Sequence, residues 1–455
     1  MAVVDQTVVD QTVVDNTLEF IDQASFLGLR ALGRGPLAQY IWIYEHPVDV
    51  DGLRRFHRNL GHGLLGRRIE RSALPFGRHH WVAWTGPADI EIAADERPRH
   101  EITDWVDEQI RQPIDPELGP SWRLVMQPIT GGGAAVTLIA SHTICDGLAF
   151  SIAVANAAQG ITRDLGYPPP GARTRRRALL DDGRAVLRSV PDMGRAVVAA
   201  VRLASTNKED LSSSAARSAP PARLLGSEPV TVPALAVFIE EAQWDARAEA
   251  LGGTSNSLFA GIAARMGQVM GRVDDRGLVK LAFPVSERTE GDTRANALTG
   301  MMLTVDPTGV SESLAGVRAE IKRNLAVLSE TRNELLAPLP LTPLIPKRLA
   351  RTLEGMALGS GSPIGCSNLG ALDPAANRPD GTDAEWVWVR QMESRVTPDI
   401  LDRLGGSLFL ASGRVHGKVF LSVSGWEVGQ PNSKQRLAAV IRPALEDFGL
   451  TGTIE

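Results

Sequence analysis

This sequence predicts an α/β protein built as two layered lobes, each with a sheet and packed helices. Strand-like and helix-like runs alternate in both halves of the 455 residues. A stretch rich in Ser, Ala and Pro at 205–229 separates those halves. The chain is also too long for one ordinary hydrophobic core. On this reading residues 1–16 are a mobile tail, with a short β-prone arm as the alternative, 17–204 a first lobe, 205–229 a linker and 230–455 a second lobe.

The tail repeats Val-Val-Asp-Gln-Thr twice and then Val-Val-Asp-Asn-Thr. A period of five matches neither helix nor strand, and three copies are too few for a solenoid. Order is expected from Leu18 onward, in an amphipathic helix carrying Phe26 and Leu27. Residues 37–48 hold β-branched and aromatic side chains (Tyr40, Ile41, Trp42, Ile43, Tyr44) and read as a strand. Residues 49–65 then place Leu53, Phe56, Leu60 and Leu64 on one helical face. Gly61-His-Gly-Leu-Leu-Gly66 fits G-x-G-x-x-G, but it follows a helix and not a strand, so it fails the context of a nucleotide loop. Runs 122–129 and 134–140, joined through Gly131-Gly-Gly133, read as a hairpin. Residues 148–158 follow as a buried helix.

After Pro168-Pro-Pro170 and the arginines from Arg173 to Arg177 comes a basic amphipathic stretch reaching about residue 203. It reads as a solvated helix face, or as a surface resting on anionic headgroups or an acidic carrier. The second lobe shows a strand at 230–239, helices at 245–252 and 255–270, and a short buried strand at 278–284. Further strands fall at 385–389, 407–412 and 418–424, the last two turning through 413–417. A helix at 433–448 closes the chain.

The balance of 48 basic against 53 acidic residues, net −5, argues against a general nucleic-acid binder. Two cysteines offer no disulfide framework and fit a reducing compartment. No run approaches the roughly 20 apolar residues of a membrane span, and the N-terminus lacks the regions of a signal peptide. A cytoplasmic location is expected, with peripheral membrane contact open.

Ser141-His-Thr-Ile-Cys-Asp-Gly147 carries the chemistry. An apolar strand delivers His142 and Asp146 onto a tight loop, and a helix starts behind them. Histidine accepts a proton near neutral pH, so His142 reads as a general base, a metal ligand or a satisfied core histidine. No His-x-His or Cys-x-x-Cys group supplies further metal ligands, and Cys145 has no partner arrangement for a thiol nucleophile.

The same seven residues resemble the His-x-x-x-Asp-Gly signature of the chloramphenicol-acetyltransferase-like superfamily. That superfamily includes peptide-synthetase condensation domains, polyketide-associated acyltransferases and wax ester synthase/diacylglycerol acyltransferases. Phe283-Pro-Val-Ser-Glu-Arg-Thr-Glu-Gly-Asp292, followed by Asn296, is similar to the Pro-Val-Ser-x-Arg segment of the wax ester branch. Cys366-Ser-Asn-Leu-Gly370 is similar to its Ser-Asn-x-x-Gly region, one residue shorter. Asp22-Gln-Ala-Ser-Phe-Leu27 resembles its Asp-x-x-Phe-Leu, one residue longer. Ser141 stands where that branch usually has a first histidine, and the plant Asp-Phe-Gly-Trp-Gly signature is absent.

The resemblance covers about residues 18–430. It implies two chloramphenicol-acetyltransferase-like lobes with a tunnel between them, in which acyl donor and acceptor meet at His142. It implies an acyl transfer from a CoA thioester to a hydroxyl acceptor such as a lipid alcohol or glycerolipid, without an acyl-enzyme. A carrier-protein-dependent transferase or condensation enzyme is the alternative, as is a non-catalytic binding member of the fold. Asp146 would be a structural residue paired with Arg288, and Gly147 would allow close approach of the backbone to substrate. Ser286, Ser367 and Asn368 are candidates for substrate or oxyanion contact. No cofactor or metal is implied beyond the thioester co-substrate. Cys145 and Cys366, both inside matched segments, are expected as free thiols near the tunnel.

Overall fold

The computed structural model describes residues 15–206, 228–330, 336–346 and 363–455. Residues 1–14 of the pentapeptide tail and all but the ends of the 205–229 linker lie outside the described residues. Asn16, inside the expected tail, is held by Trp81, whose carbonyl accepts from the Asn16 amide at 2.8 Å.

The first half runs α1 (Phe20–Leu32), β1 (Pro36–Tyr44), α2 (Val50–Leu60), β2 (Arg67–Glu70), β3 (His80–Ala83), β4 (Glu91–Ile92) and α3 (Ile102–Ile110). It continues through β5 (Trp122–Pro128), β6 (Ala134–Ser141), α4 (Gly147–Gln159) and the long α5 (Arg175–Thr206). In the second half come β7 (Ala234–Glu240), α6 (Glu241–Ala250), α7 (Ser255–Val269), β8 (Val279–Ser286), β9 (Leu298–Val305) and α8 (Ala315–Glu330). There follow β10 (Ile364–Ala371), β11 (Trp386–Glu393), α9 (Pro398–Arg403), β12 (Ser407–Val415), β13 (Lys418–Trp426), α10 (Lys434–Asp447) and β14 (Thr453–Ile454).

β1 lies inside the first sheet because its side chains are apolar on both faces, and every residue after Pro36 is buried. It stops at Tyr44, short of the expected 48, and Asp49 caps α2 by accepting the Asp51 N–H at 3.0 Å. The Gly61–Gly66 segment is a packed turn. A Cβ on Gly61 would stand 2.0 Å from the Thr85 carbonyl oxygen, and one on Gly66 would stand 2.5 Å from that of Gly61. Those glycines serve close backbone packing. The β5–β6 hairpin turns through Gly131, Gly132 and Gly133, all left-handed (φ +91°, +109° and +84°), a conformation side chains resist.

The first sheet has the order β11-β1-β6-β5-β4, antiparallel except for the β4–β5 pair. Its edge strand β11 comes from the second half of the chain. It pairs with β1 from Pro36↔Glu393 to Ile43↔Trp386. Arg390 locks that pairing: it donates to Gln39 Oε1 at 2.8 Å and pairs with Asp107 at 2.7 Å. A cut at residue 230 therefore leaves one strand of the first sheet on the far side. The second sheet has the order β14-β7-β13-β12-β10-β8-β9, with β10 parallel to both β12 and β8. β12 and β13 extend to Val415 and Lys418, so their turn is only His416-Gly417, both at positive φ. The sequence placed that turn over 413–417.

One apolar core, with Tyr40, Trp42, Phe56, Trp122 and Phe150, lies around the first sheet and continues into Phe238, Val387 and Phe420 of the second half. A second core fills the space between the second sheet and α7, α8 and α10. No described helix is long and apolar enough to cross a membrane.

Candidate active site

The site is built where β6 ends. The His142 N–H donates to the Pro36 carbonyl at 3.0 Å, and the Ile144 N–H donates back to Ser141 at 3.0 Å, so the chain turns sharply before α4. Asp146 caps α4, its Oδ1 accepting the Ala149 N–H at 2.7 Å. His142 is neither fully buried nor exposed, while Ser141, Thr143, Ile144, Cys145 and Asp146 around it are buried.

The other half of the chain completes the loop. The Arg288 guanidinium reaches Asp146 Oδ2 at 2.7 Å, with both side chains almost wholly inaccessible. The same guanidinium donates to the carbonyls of Asp292, Arg294 and Ala295. The Ala297 N–H donates to Asp146 Oδ2 at 2.8 Å, and the Asp146 N–H donates to Ala295 at 2.9 Å. Both carboxylate oxygens are thus engaged by groups other than the His142 ring. A planar fork suits this duty because it satisfies a carboxylate and several carbonyls at once.

Two more side chains hold the loop. Arg67, fully buried, donates to the Ile144 carbonyl through Nε and a terminal nitrogen (3.2 and 2.9 Å) and to the Thr293 carbonyl at 2.5 Å. It stacks over Trp81 at 4.9 Å. The Asn296 amide donates to the carbonyls of His142 (3.3 Å) and Thr143 (3.4 Å), and to Asp22 Oδ1 at 2.8 Å. Arg67 has no sequence signal beyond its position after Gly66. Asp22 and Asn296 are legible only through the segments that resemble a known family.

Burial lowers the pKa of His142 below the usual histidine value, opposed by the Asp146 charge, its own main-chain carbonyl and the Asn296 side chain. Burial thus favours the neutral ring, the form able to accept a proton. Burial pushes the Cys145 thiol up to about 12, and Cys366 is raised likewise. Both are free and buried, which removes them as nucleophiles. We expect neither to react with an aromatic disulfide reagent in the native protein, and both to react after denaturation; rapid native labelling would contradict this packing.

Asp22 titrates unusually. Burial raises its carboxyl to about 7, against the hydrogen bonds of Asn296 and the Arg67 charge. The folded state binds this proton more tightly than the unfolded chain. Asp22 thus favours folding at low pH, and that contribution is lost as pH rises from about 4 through about 7. Melting temperature should accordingly fall between about pH 4 and about pH 7 by a component absent from Asp22→Asn. Identical pH profiles for the two proteins would contradict it.

The remaining candidates have local duties. Leu369 of β10 lies over Gly147, where a Cβ would stand 2.8 Å from the flexible end of its side chain. Ser286 Oγ accepts the Arg288 N–H at 3.1 Å. The Asn368 side chain bonds Asn256 and the Gly370 N–H. Ser367 sits half-buried on β10 beside Cys366. Among the described residues no group of three His, Cys, Asp or Glu side chains is placed to hold a metal.

The two-lobed fold is shared along the whole chain with solved structures. Polyketide synthase associated protein 5 from Mycobacterium tuberculosis gives a TM-score of 0.54 at 15% identity, over 96% of this chain and 98% of that one. The first condensation domain of the CDA synthetase gives 0.55 at 15% identity, over 97% and 99%. A wax ester synthase/diacylglycerol acyltransferase from Marinobacter aquaeolei VT8 gives 0.54 at 14% identity, over 95% and 98%. No family model and no curated protein matches the sequence. The architecture is therefore the chloramphenicol-acetyltransferase-like one that the motifs led us to expect.

Proposed function

We propose that this chain is an acyltransferase in which His142 is the general base. An acceptor hydroxyl gives its proton to the ring as its oxygen attacks a thioester carbonyl. The C–S bond then breaks, and the proton passes to the departing thiolate, leaving ester and free thiol. Transfer is direct, because the cysteine beside the base is buried and protonated. Burial favours the neutral imidazole, which keeps a lone pair on one ring nitrogen to take the proton.

The observation that carries this reading is the engagement of Asp146. Its oxygens are held by Arg288, Ala297 and Ala149, so it fixes the loop and leaves the histidine as sole base. Ser286, Ser367 and Asn368 remain candidates for contact with substrate or oxyanion. We infer a CoA thioester as donor and a lipid alcohol or glycerolipid as acceptor. A second reading, with the donor brought by a carrier protein, is supported by the likeness to condensation domains. The test is to offer long-chain acyl-CoA and an acyl-pantetheinyl carrier protein, each with a panel of alcohols and amines, and to follow free thiol. The donor that supports acceptor-dependent release decides between the readings. Release from neither would favour a binding member of the fold.

A further inference from the structure

Helix α5 presents a surface that the acyl-transfer chemistry does not use. Between residues 173 and 202 the chain carries eight arginines and three aspartates, within a protein of net charge −5. One flank of α5 is tied down. Asp182, fully buried, accepts from His80 Nε2 (2.9 Å), Arg173 (2.7 Å), Ser72 Oγ (2.7 Å) and the Ala73 N–H (2.7 Å). Ala178, Ser189 and Ala196 continue that buried flank at helical spacing. The helix is therefore fixed in rotation, and what its other side shows is set by the sequence.

That other side is apolar and cationic in two parallel rows. Leu180 (62% exposed), Leu187 (72%), Val190, Val197, Val198 and Val201 (66%) stand out along one stripe roughly 100° wide. Arg177, Arg184, Arg188, Arg195 and Arg202 recur at intervals of four and seven residues, on the next row round the helix. A merely solvated face would be polar throughout, and this one leaves six large apolar side chains in water. At 1.5 Å per residue the apolar row is about 30 Å long.

We propose that this face of α5 is a membrane-docking surface, which lies on anionic lipid with its apolar row among the upper acyl chains and its arginines at the headgroup phosphates. The stripe runs the length of the helix, which suits a flat, fluid surface rather than a shaped partner, whose contact would gather around a pocket. The arginine row matches the sign and depth of phosphate headgroups. Asp181 and Asp192, paired to Arg177, Arg184 and Arg195, lie on the far side of that row from the apolar residues. The surface does not depend on which acyl donor or acceptor the site takes.

Vesicle flotation with the full chain tests this. The wild type should bind vesicles of equimolar phosphatidylglycerol and phosphatidylcholine, and bind pure phosphatidylcholine at least about tenfold more weakly. Leu180→Ser/Leu187→Ser/Val198→Ser should abolish flotation with an unchanged melting curve, because these side chains are more than half exposed. Arg188→Gln should weaken binding to the anionic vesicles about fivefold and leave binding to pure phosphatidylcholine unchanged. A second readout places an environment-sensitive dye on Leu187→Cys, the two native cysteines being buried. Its emission should shift to the blue with anionic vesicles. The proposal is overturned by a wild type that does not float, by a triple-serine variant that floats like wild type, or by a dye that stays in water. It is equally overturned if the triple-serine change instead abolishes binding to an acidic carrier protein or self-association while flotation persists.

Discussion

Replacing His142 by alanine is expected to lower acceptor-dependent thiol release by about 10²–10⁴-fold, the usual contribution of a positioned general base. Melting temperature should change little, because the loop is held through its main chain and through Asp146, not through the imidazole. The pH profile supplies a second readout. Activity follows the neutral ring, and burial lowers the pKa of His142. The acid limb of kcat/KM should therefore lie below the ordinary histidine value of about 6.5, with activity lost as pH falls through the lowered pKa. His142→Ala must abolish that limb. Thiol release that persists in the variant at the wild-type rate would sink the assignment, and an acid limb above the ordinary value would contradict the desolvated ring.

How much of this was legible in the sequence depended on the range of the interactions. Strands with apolar runs, such as Pro36–Tyr44 and Ala134–Ser141, are legible because burial on both faces leaves an unbroken pattern. The loop after β6 is legible because it packs its chemistry into seven residues. β9 and β10 were not. β9 is an edge strand with mixed burial, and β10 is an inner strand whose Gly365, Ser367, Asn368 and Gly370 obscure any period. The pairing of β11 with β1 is a contact between residues some 350 apart, and no local pattern announces it. The same holds for Asp22 and Asn296, which meet across 274 positions. Arg67 is hidden for another reason: a buried arginine looks in sequence like any surface arginine, and only the carbonyls converging on it reveal its place.

Breaking the Asp146–Arg288 pair should cost the most stability of any single change at the site. Arg288→Met removes the cation and leaves a buried carboxylate with only the Ala149 and Ala297 N–H groups as donors. It also strips a donor from the carbonyls of Asp292, Arg294 and Ala295. Removing one partner of a buried pair typically costs about 3–5 kcal/mol. For a lobe of this size that corresponds to a fall in melting temperature on the order of 10 °C. Asp146→Asn should cost a comparable amount, because the Arg288 guanidinium, almost wholly inaccessible, then faces a neutral amide. The double variant Asp146→Asn/Arg288→Met is the decisive case. If the two side chains act through each other, its loss is clearly smaller than the sum of the single losses, since no uncompensated charge stays buried. Where the variants fold, kcat should fall with the order of the loop while preference among acceptors stays the same, because on the proposed function Asp146 acts through the loop that carries His142. Simple additivity in the cycle would show that the ion pair does not couple the two halves.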